Sequence, residues 1–357
     1  MRKSLHARAS GPINERFAEA MDSVAAPWPV AVAVSGGSDS LALMFLLRDW
    51  ARSRGLPLPI VLCVDHGVRP ESRAEARQVV RWARNAGLGG NVLTNLEAPP
   101  RSDIEAACRV ARYRLMGEWA KRKGLMAICV AHTQDDQAET FLLRLARGSG
   151  VDGLAAMRSI APYPDPEFSK LRLVRPLLGF GRQELRDYLG TASQPWLEDP
   201  MNDDPRFARA RIRSAWPQLE VLGLTRKRLA ESAAHLGRAR AALDTVTQAI
   251  LMRACKPCQD GVAVDRNALI GAPRELALRA LAGILMAVAR NPYRPRFERL
   301  QGLFDSISAG EFGSARTLHG CRIAPAPSKW AVFGKRTLLV QPEKTRQSAG
   351  KGRGGPQ

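Results

Sequence analysis

Between Ala31 and Leu47 the chain reads AVAVSGGSDSLALMFLL: an apolar β-like run, a Ser/Gly/Asp turn and an apolar helix-like run. This turn constrains the fold more than any other feature, because it places a strand's C-terminal end directly against a helix N-terminus. The same alternation continues downstream. Strands are predicted at 59–67 (PIVLCVDHG), 91–96 (NVLTNL) and 125–133 (LMAICVAHT), and helices at 40–54, 71–86, 103–123 and 134–147. Short β-branched runs alternating with longer amphipathic segments imply βαβ units and a parallel sheet, so the first half is read as an α/β fold. Right-handed crossovers put every strand's C-terminal end on one edge, where ligands bind. Gly36-Gly37, Asp65-His66 and His132 each follow a strand, so three strand ends aim polar groups at one crevice.

Further along, KLRLVRPLL (170–178) reads as a fifth strand and RQELRDYL (182–189) as a short helix. A break falls near 217–224. From 225 the pattern is all helical, continuing through 273–290 and 295–308. Short strands with turns return over 313–341, and the tail from Glu343 is rich in Gly, Lys and Arg. A chain of 357 residues with 45% hydrophobic content suits two or three globular domains. No apolar run approaches the roughly 20 residues of a membrane span. The basic N-terminus, MRKSLHARASGP, is not followed by a signal-peptide apolar core, so the expected location is cytoplasmic and no membrane partner is expected.

The formal net charge is +20, from 54 Lys and Arg against 34 Asp and Glu. Such an excess points to a polyanionic partner, with nucleic acid the commonest, although solubility alone is the blander account. Six cysteines in a chain of this size make no disulfide framework. Cys63, Cys108 and Cys129 lie in apolar patterns, as reduced core residues do. Cys255-Lys-Pro-Cys258 is a CxxC with no second pair nearby, whereas a zinc site needs four ligands.

The turn Ser35-Gly36-Gly37-Ser38-Asp39-Ser40 lacks the Lys and the spacing of a P-loop. Its glycines let backbone N–H groups approach an anion, Ser35, Ser38 and Ser40 add hydroxyl donors, and the helix dipole favours negative charge. Asp39 would repel a phosphate unless it holds Mg²⁺ against it or acts on a nucleophile. A plain strand-to-helix turn with Ser and Asp caps explains the same residues. Downstream, Asp135, Asp136 and Glu139 open the predicted helix at 134–147. Asp136 and Glu139 share a face, suited to an ammonium group, though carboxylates at a helix start also serve as caps.

The hexapeptide after an apolar strand resembles the pyrophosphate-binding loop of the N-type ATP pyrophosphatases. These enzymes adenylate a substrate oxygen, release pyrophosphate and let a nucleophile displace AMP. Within that superfamily, four further stretches are similar to the tRNA(Ile)-lysidine synthetases: VDHGVRPESRAEA (64–76), IEAACRVARYRLM (104–116), AHTQDDQAETFLLRLARGSGVDGLAAM (131–157) and WLEDPMNDDPRFARARIRSAWPQL (196–219). The resemblance spans about residues 30–219; beyond 219 only the layout matches.

The resemblance implies a Rossmann-like PP-loop catalytic domain over 30–219, preceded by a basic extension and first helix at 1–29. It implies a helical tRNA-binding domain at 220–312, a small β-rich region at 313–342 and a basic tail at 343–357. It implies ATP as co-substrate with Mg²⁺ on Asp39, and ATP or pyrophosphate contacts from Ser35 through Ser40, Asp65, His132 and Arg147. Arg112, Asp136 and Glu139 would bind free L-lysine. Asn202, Arg206, Arg209, Arg211 and Arg213, read as one basic helical face, would meet the tRNA, helped by basic residues such as Arg226, Lys227, Arg228, Arg238 and Arg240. The partner implied is an isoleucine tRNA with a CAU anticodon, and a homodimer is admitted. The wobble cytidine oxygen would attack ATP, and the lysine ε-amine would then displace AMP at carbon 2, with Asp39 or Asp136 taking a proton. The rival readings are a PP-loop tRNA thiolase, which needs paired cysteines near the catalytic domain, a catalytically silent RNA-binding protein, and a small-molecule amidotransferase, for which no glutaminase domain is visible.

Overall fold

The structure, a computed structural model, describes residues 12–96, 104–198, 204–259, 261–291, 293–310 and 314–343. By packing, the chain divides into Met1–Arg238 and Ala239–Gln357.

In the first unit the elements run α1 (Ile13–Val24), β1 (Val30–Ala33), α2 (Ser38–Ser53), β2 (Ile60–Asp65), α3 (Ser72–Asn85), β3 (Gly90–Thr94), α4 (Ile104–Arg122), β4 (Ala127–Cys129) and α5 (Gln134–Leu145). There follow α6 (Val151–Leu154), β5 (Ile160–Pro162), β6 (Arg172–Val174), α7 (Arg182–Thr191), α8 (Ala208–Ser214), α9 (Trp216–Val221) and the start of α10 (Arg226–Ala254). The sheet order is β3-β2-β1-β4-β6-β5. Strands β3, β2, β1, β4 and β6 are parallel, and β5 pairs antiparallel with β6 at one edge.

Burial on both faces explains why these strands read as unbroken apolar runs. Val30, Val32, Val61, Cys63, Ala127 and Cys129 enter a core with α1, α2, α3 and α7. Their alternates Ala31, Leu62 and Ile128 enter a second core with Tyr113, Met116 and Trp119 of α4. Burial pushes the Cys63 and Cys129 thiols up to about 12, so they are inert core residues. Cys108 differs: it is only half-buried on α4. A smaller cluster of Ala138, Trp216 and Leu229 joins α5 to α9 and the first turn of α10.

Each predicted strand and helix of this unit is found, with the strands shortened. The antiparallel β5 was not foreseen, because Ile160-Ala161-Pro162 is too short to give a periodic signal.

The second unit contains the rest of α10, β7 (Cys255–Cys258), β8 (Gly261–Asp265), α11 (Arg266–Ile270), α12 (Arg274–Ala289), α13 (Phe297–Ala309), β9 (Arg316–Leu318), β10 (Cys321–Pro325) and β11 (Thr337–Pro342). Its antiparallel sheet has the order β7-β8-β11-β10-β9. The expectation of an all-helical pattern over 225–308 fails at 255–265. Val262 and Val264 alternate as a strand does, and pair with Val340 and Leu338 of β11. Helices and strands therefore share one core here, from Ile250 and Leu281 to Ile323 and Val340. The CxxC is the edge strand of the β7–β8 hairpin. Among the described residues no helix is long and apolar enough to cross a membrane.

Candidate active site

In the first unit a cavity of about 440 Å³ opens at the carboxyl ends of β1, β2 and β4. This is where the strand order reverses, with β2 on one side of β1 and β4 on the other.

Its floor is the phosphate turn. Gly36 has φ +97°, a left-handed conformation that favours glycine, and a Cβ there would lie 2.6 Å from Leu197 Cδ1. The Leu197 amide donates to the Gly36 carbonyl at 2.9 Å, so the 196–198 segment is pinned across the turn. The Ser40 hydroxyl donates to the Gly37 carbonyl at 2.9 Å and accepts from the Ser35 amide at 3.2 Å, which closes the turn on itself. Ser38 and Asp39 then form the first turn of α2 and line the cavity. Ser40 thus closes the turn, while the N-cap of α2 is Gly37 and carries no side-chain cap, so Ser and Asp caps do not explain these residues.

Opposite stands a set of charges. Asp136 closes a capping box with Thr133 at the start of α5. Its Oδ2 accepts from the Thr133 amide at 2.8 Å and the Thr133 hydroxyl at 3.0 Å. Its Oδ1 is left to Arg209 at 3.5 Å and Arg182 at 3.8 Å. One oxygen of Asp136 builds the helix start and the other faces the cavity. Burial alone would raise this carboxyl, but the Thr133 amide, with Arg182 and Arg209 nearby, holds it below the usual carboxylate range. Asp39 shows the opposite balance. Burial raises it, and Arg182, whose Nε donates to Oδ2 at 3.1 Å, offsets that only in part.

Glu139 is fully buried and does not form part of the cavity wall. Arg213 donates to its two oxygens at 2.7 and 3.3 Å, and Arg182 approaches Oε1 at 3.9 Å. It supports two arginines that do line the cavity. Asp135, also buried, accepts from the Arg182 amide at 2.9 Å and pairs with Arg226 at 3.1 Å.

The structure divides the remaining candidates. His132 lines the cavity, and Arg175 donates to its Nδ1 at 3.2 Å. Burial pushes His132 down to about 4, so it is neutral near pH 7. Arg112 lines the cavity and reaches His66 Nε2 at 3.3 Å. Burial, with Arg112 adding to it, pushes His66 down to about 4. Asp65 does not reach the cavity: its Oδ1 accepts from the Gly67 amide at 3.0 Å and the Ser72 hydroxyl at 2.7 Å, the work of a strand-end turn. Arg147 is exposed and lies away from the wall.

The expected single basic face at 206–213 is not formed. Arg209 and Arg213, one turn apart on α8, face the cavity. Arg211 donates to the carbonyls of Pro205 and Arg206 at 3.0 Å, and Arg206 pairs with Asp204 on the surface. Helical geometry sets Arg211 about 200° around the axis from Arg209, so the three could not share a face. Asn202 lies outside the described residues. Sequence reasoning missed Arg182, which meets Asp39, Asp136 and Glu139; its signal, an Arg directly after Gly181 at a helix start, is weak.

A match to the PP-loop domain covers residues 11–219. Over 315 residues the chain is 38% identical to the tRNA(Ile)-lysidine synthase of Wolbachia pipientis wMel, covering 87% of this chain and 70% of that one. It is 39% identical over 314 residues to that of Methylobacterium nodulans, covering 85% of this chain and 90% of the relative. The chain belongs to the tRNA(Ile)-lysidine synthase family. Among solved structures it shares a TM-score of 0.49 and 16% identity with the U34-tRNA thiolase NcsA of Methanococcus maripaludis, over 64% of this chain and 76% of that chain, a likeness too distant to bear on the reaction. Membership of this family, with its PP-loop domain, implies that the protein uses ATP.

Proposed function

We propose that this protein ligates free L-lysine to carbon 2 of the wobble cytidine in an isoleucine tRNA with a CAU anticodon, consuming ATP and releasing AMP and pyrophosphate. The observation that carries this reading is the single cavity in which the phosphate turn, Asp39, Asp136, Arg112 and His132 meet. Its relatives of 33–39% identity are named as lysidine synthases, which supports the same reaction.

Carbon 2 of cytosine is a poor electrophile, so its oxygen must first become a leaving group. The cytidine oxygen attacks the α-phosphorus of ATP; an O–P bond forms and the bond to pyrophosphate breaks. Ser35 through Ser40 receive the β- and γ-phosphates on backbone N–H groups, hydroxyls and the α2 N-terminus. The donor set suits Mg²⁺, which takes one or two carboxylates plus phosphates, here Asp39 with Asp136 nearby. When bound, the metal would neutralise charge building on the leaving pyrophosphate. His132, neutral at pH 7, can donate or accept one hydrogen bond at the nucleotide without adding charge.

The lysine ε-nitrogen then attacks carbon 2, and the C–O bond to AMP breaks. Arg112 suits the lysine α-carboxylate, and Asp136, with Glu139 behind it, suits an ammonium group. Lysine has a solution pKa of about 10.4, so it arrives protonated and must lose a proton before attack. Asp39 and Asp136 are the carboxylates on the wall that can accept it. The base must leave the anticodon stack to enter. Arg206, in the turn before α8, and Arg211, on its outer side, meet the tRNA backbone.

The test is ATP-dependent incorporation of labelled lysine into an unmodified CAU-anticodon isoleucine tRNA transcript. A methionine tRNA with the same anticodon is the control. Labelling of the isoleucine transcript alone is expected. Absence of labelling with folded, ATP-binding protein would overturn the reading.

A further inference from the structure

Arg182 presents three nitrogens to three different carboxylates. Nε meets Asp39 at 3.1 Å, Nη2 meets Asp136 at 3.8 Å and Nη1 meets Glu139 at 3.9 Å. Its side chain is three-quarters buried, and its own amide is tied to Asp135. Burial alone would lower this guanidinium's pKa, but Asp39, Asp136 and Glu139 together raise it. Around this point every carboxylate already holds a guanidinium: Asp39, Asp136 and Glu139 face Arg182, Arg209 and Arg213, while Arg109, Arg112 and Arg186, with Glu198, add further charge to the cavity wall.

Carboxylates already held in this way have no place for another cation. A lysine ammonium entering it must displace a guanidinium from carboxylates that already hold one, and the displaced arginine, still on the wall, needs a new anion. A polyphosphate on the adjoining turn is that anion: Asp39, the first partner of Arg182, is part of the turn itself. Guanidinium is well suited to the exchange, because its planar fork matches phosphate as well as carboxylate.

We propose that Arg182 is a positioning residue that stands in for the substrate ammonium group, occupying Asp39, Asp136 and Glu139 until nucleotide phosphates draw it away, so that lysine binds after ATP. This rests on the lysine reading above. It makes the two substrates cooperative through one side chain, and linkage requires each to tighten the other by the same factor.

The experiment is equilibrium dialysis of labelled L-lysine against the full chain, with and without the unreactive α,β-methylene analogue of ATP and Mg²⁺. For the wild type, nucleotide should tighten lysine binding by about tenfold or more. Arg182→Gln, which removes the charge and keeps hydrogen-bonding capacity, should bind lysine without nucleotide about as tightly as the wild type does with it. Equal lysine affinity of the wild type in both conditions would overturn the proposal, and this comparison needs no variant. Retention of the full nucleotide effect by a folded Arg182→Gln would also overturn it. Should that variant not fold, Arg182→Lys, which keeps charge but cannot reach three carboxylates, should show a reduced nucleotide effect; an undiminished one counts against the proposal. No lysine binding in any state would instead remove the lysine reading, and the proposal with it.

Discussion

Two pairs of arginines from one short stretch behave differently. Arg209 and Arg213 point inward from α8 to Asp136 and Glu139, while Arg206 and Arg211 bond to a surface carboxylate and to backbone carbonyls. Composition cannot distinguish the pairs; helical phase turns Arg211 away from Arg209 and Arg213, and Arg206 lies in the turn before α8. The inner pair shares with Arg182 the neutralisation of buried carboxylates, which ties the cavity wall and stability to the same contacts. The outer pair is screened by solvent, so its contribution is to encounter with a polyanion and depends on salt.

The comparison breaks most visibly if the inner contacts are removed. Arg213→Ala leaves Glu139 buried without its bidentate partner, and loss of one member of such a pair costs about 3–5 kcal/mol. Urea unfolding should show this, and the double variant Arg213→Leu/Glu139→Leu should recover part of it. A loss no larger than that for an exposed arginine would place Glu139 in a wetter setting than the structure gives it.

Asp39→Asn should cost less stability than Arg213→Ala, because burial already opposes the Asp39 charge and Arg182 keeps Asp136 and Glu139. Turnover should fall by about 10²–10⁴, the range for a positioned proton-transfer or phosphate-facing group. Single-turnover lysidine formation measures it, and full turnover would remove Asp39 from the chemistry.

Two histidines, His132 on the cavity wall and His66 against Arg112, give a pH signature. Both have folded values near 4 against an ordinary value of 6.5. A depressed folded value means the unfolded chain takes up protons that the folded chain refuses. Their influence is therefore absent above about pH 6.5, and stability falls as pH drops from there toward 4. His132→Gln should flatten that fall in denaturation curves taken across the window, and an unchanged slope would speak against the buried neutral imidazole.

The smallest effect is expected outside. Arg206→Ala should leave the melting temperature unchanged and lower the slope of log tRNA affinity against log salt by about one if it meets a phosphate. A filter-binding titration over salt concentration reads this directly.

Much of this architecture is legible in the sequence. Val30 through Cys129 announce a parallel sheet because strands buried on both faces must be apolar throughout. The Ser35–Ser40 turn is readable because tight strand-to-helix turns admit few residue types. What is not legible depends on side-chain direction and long-range contact. Glu139 shares a face with Asp136 as spacing requires, yet lies behind Arg213, which is 74 residues away in sequence. Asp65 follows a strand like His132, but its carboxylate turns back onto Gly67 and Ser72. Arg182 is hidden because no local pattern marks a guanidinium that gathers carboxylates from α2 and α5. In the second unit, Cys255–Asp265 follows a long helix so closely that its short strands are masked by the helical pattern, and only pairing with β11 reveals them.

The division of the arginines is tested most directly by steady-state lysidine formation with tRNA as the varied substrate. The double variant Arg209→Ala/Arg213→Ala is compared with Arg206→Ala/Arg211→Ala, each checked for folding. The structure predicts that the inner pair lowers kcat with little change in the KM for tRNA, whereas the outer pair raises that KM and leaves kcat unchanged. The same change in both parameters for both pairs would contradict it.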